Sequence, residues 1–296
     1  MFGPHVNRVH AKGKRPSIVQ HIAEVRRDAK EHGFKAEAFQ IFVAGPRSLE
    51  ITLSEKESEQ LAAYIKKENI RVVAHGTYMD SPWGGNAYLA KFIRTELALC
   101  SKSNISGLVV HLTTAPVDAV MEYLPRLVTL INNVVLYLEV SHVKPYHSHY
   151  ETPKKLAVLF AAIRKQLDKN LNTFGLCVDT AHLWSSGVDI RSYKAAAAWI
   201  AQLDSVSGII PPKAIMIHLN DSFDSMGSGL DHHAGLGKGS IWSEYKHNMK
   251  QSGLAAFVEY AVKNNITTIL ERKPAGALLD DYAEIYKLTP TVRVAK

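Results

Sequence analysis

Six apolar runs, each closed by an acidic residue or a histidine, constrain this chain more than any other feature. They are RVVAHGTY (71–78), SGLVVHLT (106–113), VVLYLEVS (134–141), GLCVDTAH (175–182), AIMIHLND (214–221) and TTILERKP (267–274). Runs of this length, rich in Val, Ile and Leu, read as strands buried on both faces, which is the parallel-sheet pattern. A metal-capable side chain at the carboxyl end of strand after strand is where a (β/α)8 barrel assembles its active site. Folded that way, the chain brings His75, His111, Glu139, Asp179, His182, His218 and Glu271 to one spot. Metal is the natural occupant of such a set.

The intervening segments support the same α/β architecture. Helical periodicity runs over roughly 16–32, 54–69, 85–103, 115–130, 151–168, 191–205, 242–264 and 278–288, and two earlier strand-like runs lie near 2–8 and 36–44. That makes about eight strands and eight helices, the barrel count, in a chain of 296 residues read as one domain over 1–296. Two long connections, 141–152 and 221–240, fall on the strand-to-helix side, where long structured loops carry function. Within the second, GLGKG lacks the first Gly of a phosphate loop and has no Ser or Thr placed after Lys238 to match one.

Composition bounds the partners. No apolar run approaches the ~20 residues that span a bilayer, and the start is too polar for a signal peptide. A soluble intracellular protein, cytoplasmic or nuclear and without a membrane partner, is expected. Cys100 and Cys177 sit in apolar surroundings and read as buried free thiols. The net charge of +7 points weakly to a polyanion. Arg8, Lys12, Lys14 and Arg15 cluster near the start, whereas most other cations lie on amphipathic helices and read as solvated faces.

Asp179 and His182 form D-x-x-H at a strand end, and Asp231 and His233 form D-x-H in the Gly-rich connection, so the candidate ligands number nine. One ion with an open position takes about three protein ligands. Nine therefore imply more than one ion, and three if carboxylates bridge. Zinc suits such nitrogen and oxygen donors, and manganese is also acceptable. A cluster of that size suits phosphate ester hydrolysis. Taken alone, His111 reads as a structural histidine and Asp179 with His182 as an ion pair. Their joint occurrence at six strand ends outweighs that reading. His142, His147, His149 and His247 lack such placement and are left as surface residues; His5 and His10 are ambiguous, and His232 competes with His233.

The segments AHGTYMDSPW, VVHL, YLEV, GLCVDTAHLWSSG, MIHLND, GSGLDHHAG and ILER, in this order, resemble the signature blocks of the endonuclease IV family of apurinic/apyrimidinic (AP) endonucleases. IFVAGPR, HGTYMDSPW and DTAHLWSSG resemble a branch from large DNA viruses, which implies the host cytoplasm, nucleus or virion as location. The resemblance implies a trinuclear zinc site. His75 and His111 hold one ion, with Glu139 bridging to a second; Asp179, His218 and Glu271 complete the second; His182, Asp231 and His233 hold the third. It also implies duplex DNA with abasic sites as substrate, cut 5′ to the lesion to leave a 3′-hydroxyl and a 5′-deoxyribose phosphate in base excision repair. Glu271 orients or deprotonates the nucleophile, and 3′-diesterase and 3′–5′ exonuclease activities accompany the cut. Arg47, Tyr78 and Met79 match the residues that enter the DNA when the abasic nucleotide flips. Preferring His233 over His232 rests on the same pattern. His232 stands where the family usually has Arg, so that phosphate contact falls to His232, Lys238 or the Arg8–Arg15 cluster. A monomer is expected.

Two other classes compete. A sugar isomerase or epimerase of the xylose isomerase type uses a set like Glu139, Asp179, His218 and Glu271, but has no use for His75, His111, His182, Asp231 and His233. A non-catalytic DNA-binding protein on a decayed enzyme fold is expected to have lost ligands, and here all nine positions are filled.

Overall fold

A computed structural model describes residues 1–6, 17–78, 82–128, 133–147, 149–167, 173–272 and 276–289. Eight strands form one parallel sheet: β1 (Phe2–Pro4), β2 (Ala38–Phe42), β3 (Arg71–His75), β4 (Gly107–His111), β5 (Val135–Glu139), β6 (Phe174–Asp179), β7 (Ile215–His218) and β10 (Thr267–Leu270). Their spatial order is β1-β10-β7-β6-β5-β4-β3-β2. The seam between β1 and β2 is closed by a parallel bridge from His5 to Gln40, with the Val6 N–H donating to the Gln40 carbonyl at 2.7 Å. β8 (Asp221–Ser222) and β9 (His233–Ala234) pair as a small antiparallel ribbon above the barrel. The expected barrel is borne out.

The helices are α1 (Ile18–Glu31), α2 (Glu55–Glu68), α3 (Ala87–Lys102), α4 (Val117–Val128), α5 (Pro153–Leu167), α6 (Thr180–Ser185), α7 (Tyr193–Ser205), α8 (Gly253–Lys263) and α9 (Gly276–Leu288). Local chemistry sets their starts. Ser17 and Ser54 head reciprocal capping boxes with Gln20 and Glu57, and Asn86 accepts from the N–H groups of Tyr88 and Leu89. Two expectations differ. The segment 242–264 is not one helix: two 3-10 turns, Ser243–Tyr245 and Met249–Gln251, precede α8. Ser252 is extended and the Gly253 N–H donates to Arg191 at 2.6 Å. A Cβ at Gly253 would lie 1.9 Å from the Ile190 carbonyl, so the crossing chain ends the helical run there. The short α6 directly after β6 is additional.

Inside the barrel, one layer is made by Ala38, Val73, Val109, Tyr137, Cys177, Met216 and Ile269, one from each strand except β1. At the β1 position Gly3 stands instead, where a Cβ would meet the Ala38 carbonyl at 1.4 Å. Both cysteines are buried and free.

Candidate metal centre

Successive inward-facing positions of a strand are two residues apart. Two residues beyond the apolar layer, the strands therefore place Gln40, His75, His111, Glu139, Asp179, His218 and Glu271 on the same inner face, and Gly3 is followed in the same way by His5. These eight form a ring at the carboxyl ends of the strands. Asp179 is also the N-cap of α6: its Oδ1 accepts from the His182 N–H at 3.0 Å, which swings His182 over the ring. The ribbon β8–β9 brings Asp231 and His233 across from the other side. Asp221 anchors that ribbon's loop by accepting from the N–H groups of Gly237, Gly239 and Ile241.

All nine expected ligands converge. Glu139 Oε2 lies 3.1 Å from His75 Nε2 and 3.0 Å from His111 Nε2, and Oε1 lies 2.8 Å from His218 Nδ1. His218 Nδ1 is also 3.7 Å from Asp179 Oδ2 and 3.4 Å from Glu271 Oε2. Asp231 Oδ1 lies 2.8 Å from His233 Nε2 and 3.4 Å from His182 Nε2. His75, His111 and Glu139 form one set of ligand atoms able to hold an ion, and Asp179, His218 and Glu271 another. The third expected set appears as two overlapping groups, Asp179–His182–His233 and His142–His182–Asp231.

Tautomers follow from the backbone. His75, His182 and His233 each place Nδ1 against a carbonyl oxygen, of Gly76 at 2.8 Å, Val140 at 2.7 Å and Glu271 at 3.2 Å. A carbonyl only accepts, so Nδ1 carries the proton in each neutral ring and Nε2 presents a lone pair to the carboxylates. His218 is reversed. Its Nε2 donates to Gln40 Oε1 at 2.8 Å and its Nδ1 faces the acids. A histidine tied through one nitrogen and open at the other is the arrangement of metal ligands. His182 Nε2, Asp231 Oδ1 and His233 Nε2 are buried atoms with no hydrogen-bond partner. A lone pair facing a carboxylate is repulsive unless a cation or proton stands between them. Protons fill that role when metal does not: burial opposes it, yet Glu271 and Glu139 push His218 up to about 9, and Asp231 and Asp179 do the same for His233. The donor set thus fits divalent metal.

The DNA-facing expectations divide. Arg47 is exposed at the rim of a cavity of about 1040 Å³ that opens over the ring. Tyr78 is 46% exposed and stacks on His111 at 5.6 Å, so one face covers the ligands and the other meets solvent. The Tyr78 N–H donates to the Pro46 carbonyl at 2.8 Å, which holds the two loops together. Met79 and the Arg8–Arg15 cluster lie outside the described residues. Lys238 pairs with Asp280 at 2.6 Å. His232 turns outward to Asp224 at 3.0 Å, whereas His233 faces the ring.

Reading the sequence missed three residues. Gln40 Nε2 donates to Glu271 Oε1 at 2.6 Å, and Asn220 Nδ2 donates to Asp179 Oδ2 at 2.7 Å and Glu271 Oε2 at 3.2 Å. The signal for Gln40 was its place two residues past the apolar layer; the signal for Asn220 was its place in MIHLND. The third is His142, expected at the surface. It is half-buried, with its ring centroid 4.9 Å from that of His182.

Residues 26–279 match the xylose isomerase-like TIM barrel family. The chain is 42% identical to the probable AP endonuclease of African swine fever virus (isolate Tick/South Africa/Pretoriuskop Pr4/1996), over 88% of this chain and 87% of that one. It belongs to the AP endonuclease family. Members of that family are phosphodiester hydrolases. The probable endonuclease 4 of Nitrosopumilus maritimus is 29% identical over 84% of this chain and 89% of its own. The crystal structure described as AsfvAP:AG superposes with a TM-score of 0.92 at 38% identity, covering 97% of this chain and 98% of that one.

Proposed function

We propose that this AP endonuclease uses three zinc ions to cut duplex DNA 5′ to an abasic site, leaving a 3′-hydroxyl and a 5′-deoxyribose phosphate. The carrying observation is the set of buried unpartnered atoms His182 Nε2, Asp231 Oδ1 and His233 Nε2 beside two further complete ligand sets. A sugar isomerase has no use for that third set.

His75, His111 and Glu139 would hold one ion, Glu139, Asp179, His218 and Glu271 a second, and His182, Asp231 and His233 a third. Bound divalent ions lower the pKa of water and offset charge on the attacking and leaving oxygens of an in-line displacement. The chain's own residues arrange the rest. Gln40 and Asn220 donate to the two oxygens of Glu271, fixing the carboxylate that orients the nucleophile and takes its proton. Arg47 and Tyr78, which line the cavity over the ring, would fill the gap left by a flipped nucleotide. Removal of blocked 3′ ends and 3′–5′ exonuclease activity follow from the same bond class at a strand terminus. One chain carries the whole ligand set, so a monomer suffices.

The test uses a duplex with one tetrahydrofuran abasic analogue, which cannot undergo β-elimination. Incision 5′ to the analogue is expected, with loss of incision but retained duplex binding in Glu271→Gln. An intact duplex, or full activity in that variant, contradicts the assignment.

A further inference from the structure

His142 lies beyond the end of β5, and both of its neighbours are tied down. The Ser141 hydroxyl accepts from the Thr113 N–H at 2.8 Å, and the Val143 N–H donates to the Ser186 hydroxyl at 3.4 Å. The ring thereby lies against His182 and His111 with its Nδ1 toward the cluster, while part of the side chain remains open to solvent. Its Nδ1 is buried without a hydrogen-bond partner and lies 3.9 Å from Asp231 Oδ2. Asp231 thus divides its oxygens, with Oδ1 toward His182 and His233 and Oδ2 toward His142. His142, His182 and Asp231 together form a set of ligand atoms within 4.8 Å of one another.

Ligands about 2.1 Å from a tetrahedral ion are ~3.4 Å apart. His233 and His182 stand 2.8 and 3.4 Å from Asp231 Oδ1, and His142 stands 3.9 Å from its Oδ2, separations on that scale. His182, 2% exposed and with its Nε2 unpartnered, points into the same space. We propose that His142 is a fourth protein ligand of the ion held by His182, Asp231 and His233. This rests on the trinuclear reading above. Four side chains of this chain would then hold that ion, one more than the three protein ligands of a metal position left open for substrate.

The experiment titrates zinc out of the full chain with graded chelator and counts the metal retained. The wild-type chain should hold three ions. His142→Ala should release one of them at a free zinc concentration about tenfold or more above the wild-type midpoint, in line with the 10–100-fold cost of disturbing metal-site residues. Cobalt in that position should show a different visible spectrum in the variant, restored by added imidazole. His142→Gln, with circular dichroism, separates ligand loss from misfolding. Unchanged midpoint and spectrum in both folded variants overturn the role of His142 alone. A wild-type chain that takes up no zinc overturns the trinuclear reading with it.

Discussion

Single residues at the mouth of the barrel do two kinds of work. Ring residues face carboxylates and are fixed through their other atoms, while Arg47 and Tyr78 belong to two loops joined by the Tyr78–Pro46 hydrogen bond. Removing the Arg47 side chain leaves that bond and every ligand in place. Arg47→Ala is therefore expected to weaken binding of an abasic duplex by about tenfold, ~1.4 kcal/mol, with metal content unchanged. Titration by fluorescence anisotropy, with zinc counted in parallel, checks this. An unchanged affinity removes Arg47 from the DNA interface. Six ligand candidates were legible because Glu, Asp and His are conspicuous after apolar runs; His182, Asp231 and His233 were legible only through the D-x-x-H and D-x-H spacings and the family resemblance. Gln40 was not, since its strand ends in Phe42 and an amide stands out less than an acid. His142 was missed for a different reason: it belongs to no strand, and only the Ser141 and Val143 anchors turn it inward.

At the scale of elements, the site is a consequence of register. Parallel pairing sets Glu139 opposite His111 and Asp179 opposite His218, so residues far apart in the chain share one layer. Strand positions were readable from the apolar runs alone. The break at Gly253 was not, because it comes from the close approach of Ile190, a contact no local pattern carries. The barrel was expected, but the residues that close its seam, the bridge between His5 and Gln40, were not. Gln40 joins that seam to the metal centre by donating to Glu271 and accepting from His218. Gln40→Leu removes the hydrogen bonds that Glu271 and His218 make to Gln40. Zinc affinity should fall about 10–100-fold, the cost of losing such support. Chelator titration measures it, and wild-type retention of all ions contradicts the support role.

The whole molecule keeps an ionisable group in its wall as well as in its site. Glu96 on α3 is fully buried, and burial pushes its carboxyl up to about 8, offset only in part by the Thr77 backbone. Its folded-state pKa thus lies above the ordinary 4.5. Stability from this group is fully present below pH 4.5 and is lost as pH rises towards 8, with a slope of at most about 1.4 kcal/mol per unit. Glu96→Gln, which stays neutral, should gain in Tm relative to the unmodified chain between pH 5.5 and pH 8. Melting curves with the same offset at both values exclude an ionising Glu96 from the pH dependence.

The central claim is that six strand ends, the short helix α6 and the β8–β9 ribbon of one chain together hold a three-metal cluster that cuts abasic DNA. Counting zinc by mass spectrometry in a preparation whose incision of the tetrahydrofuran duplex is measured in the same tube tests it most directly. The account predicts close to three zinc ions per chain and incision that disappears as they are stripped and returns when zinc is restored. One ion or none in a fully active preparation would contradict it.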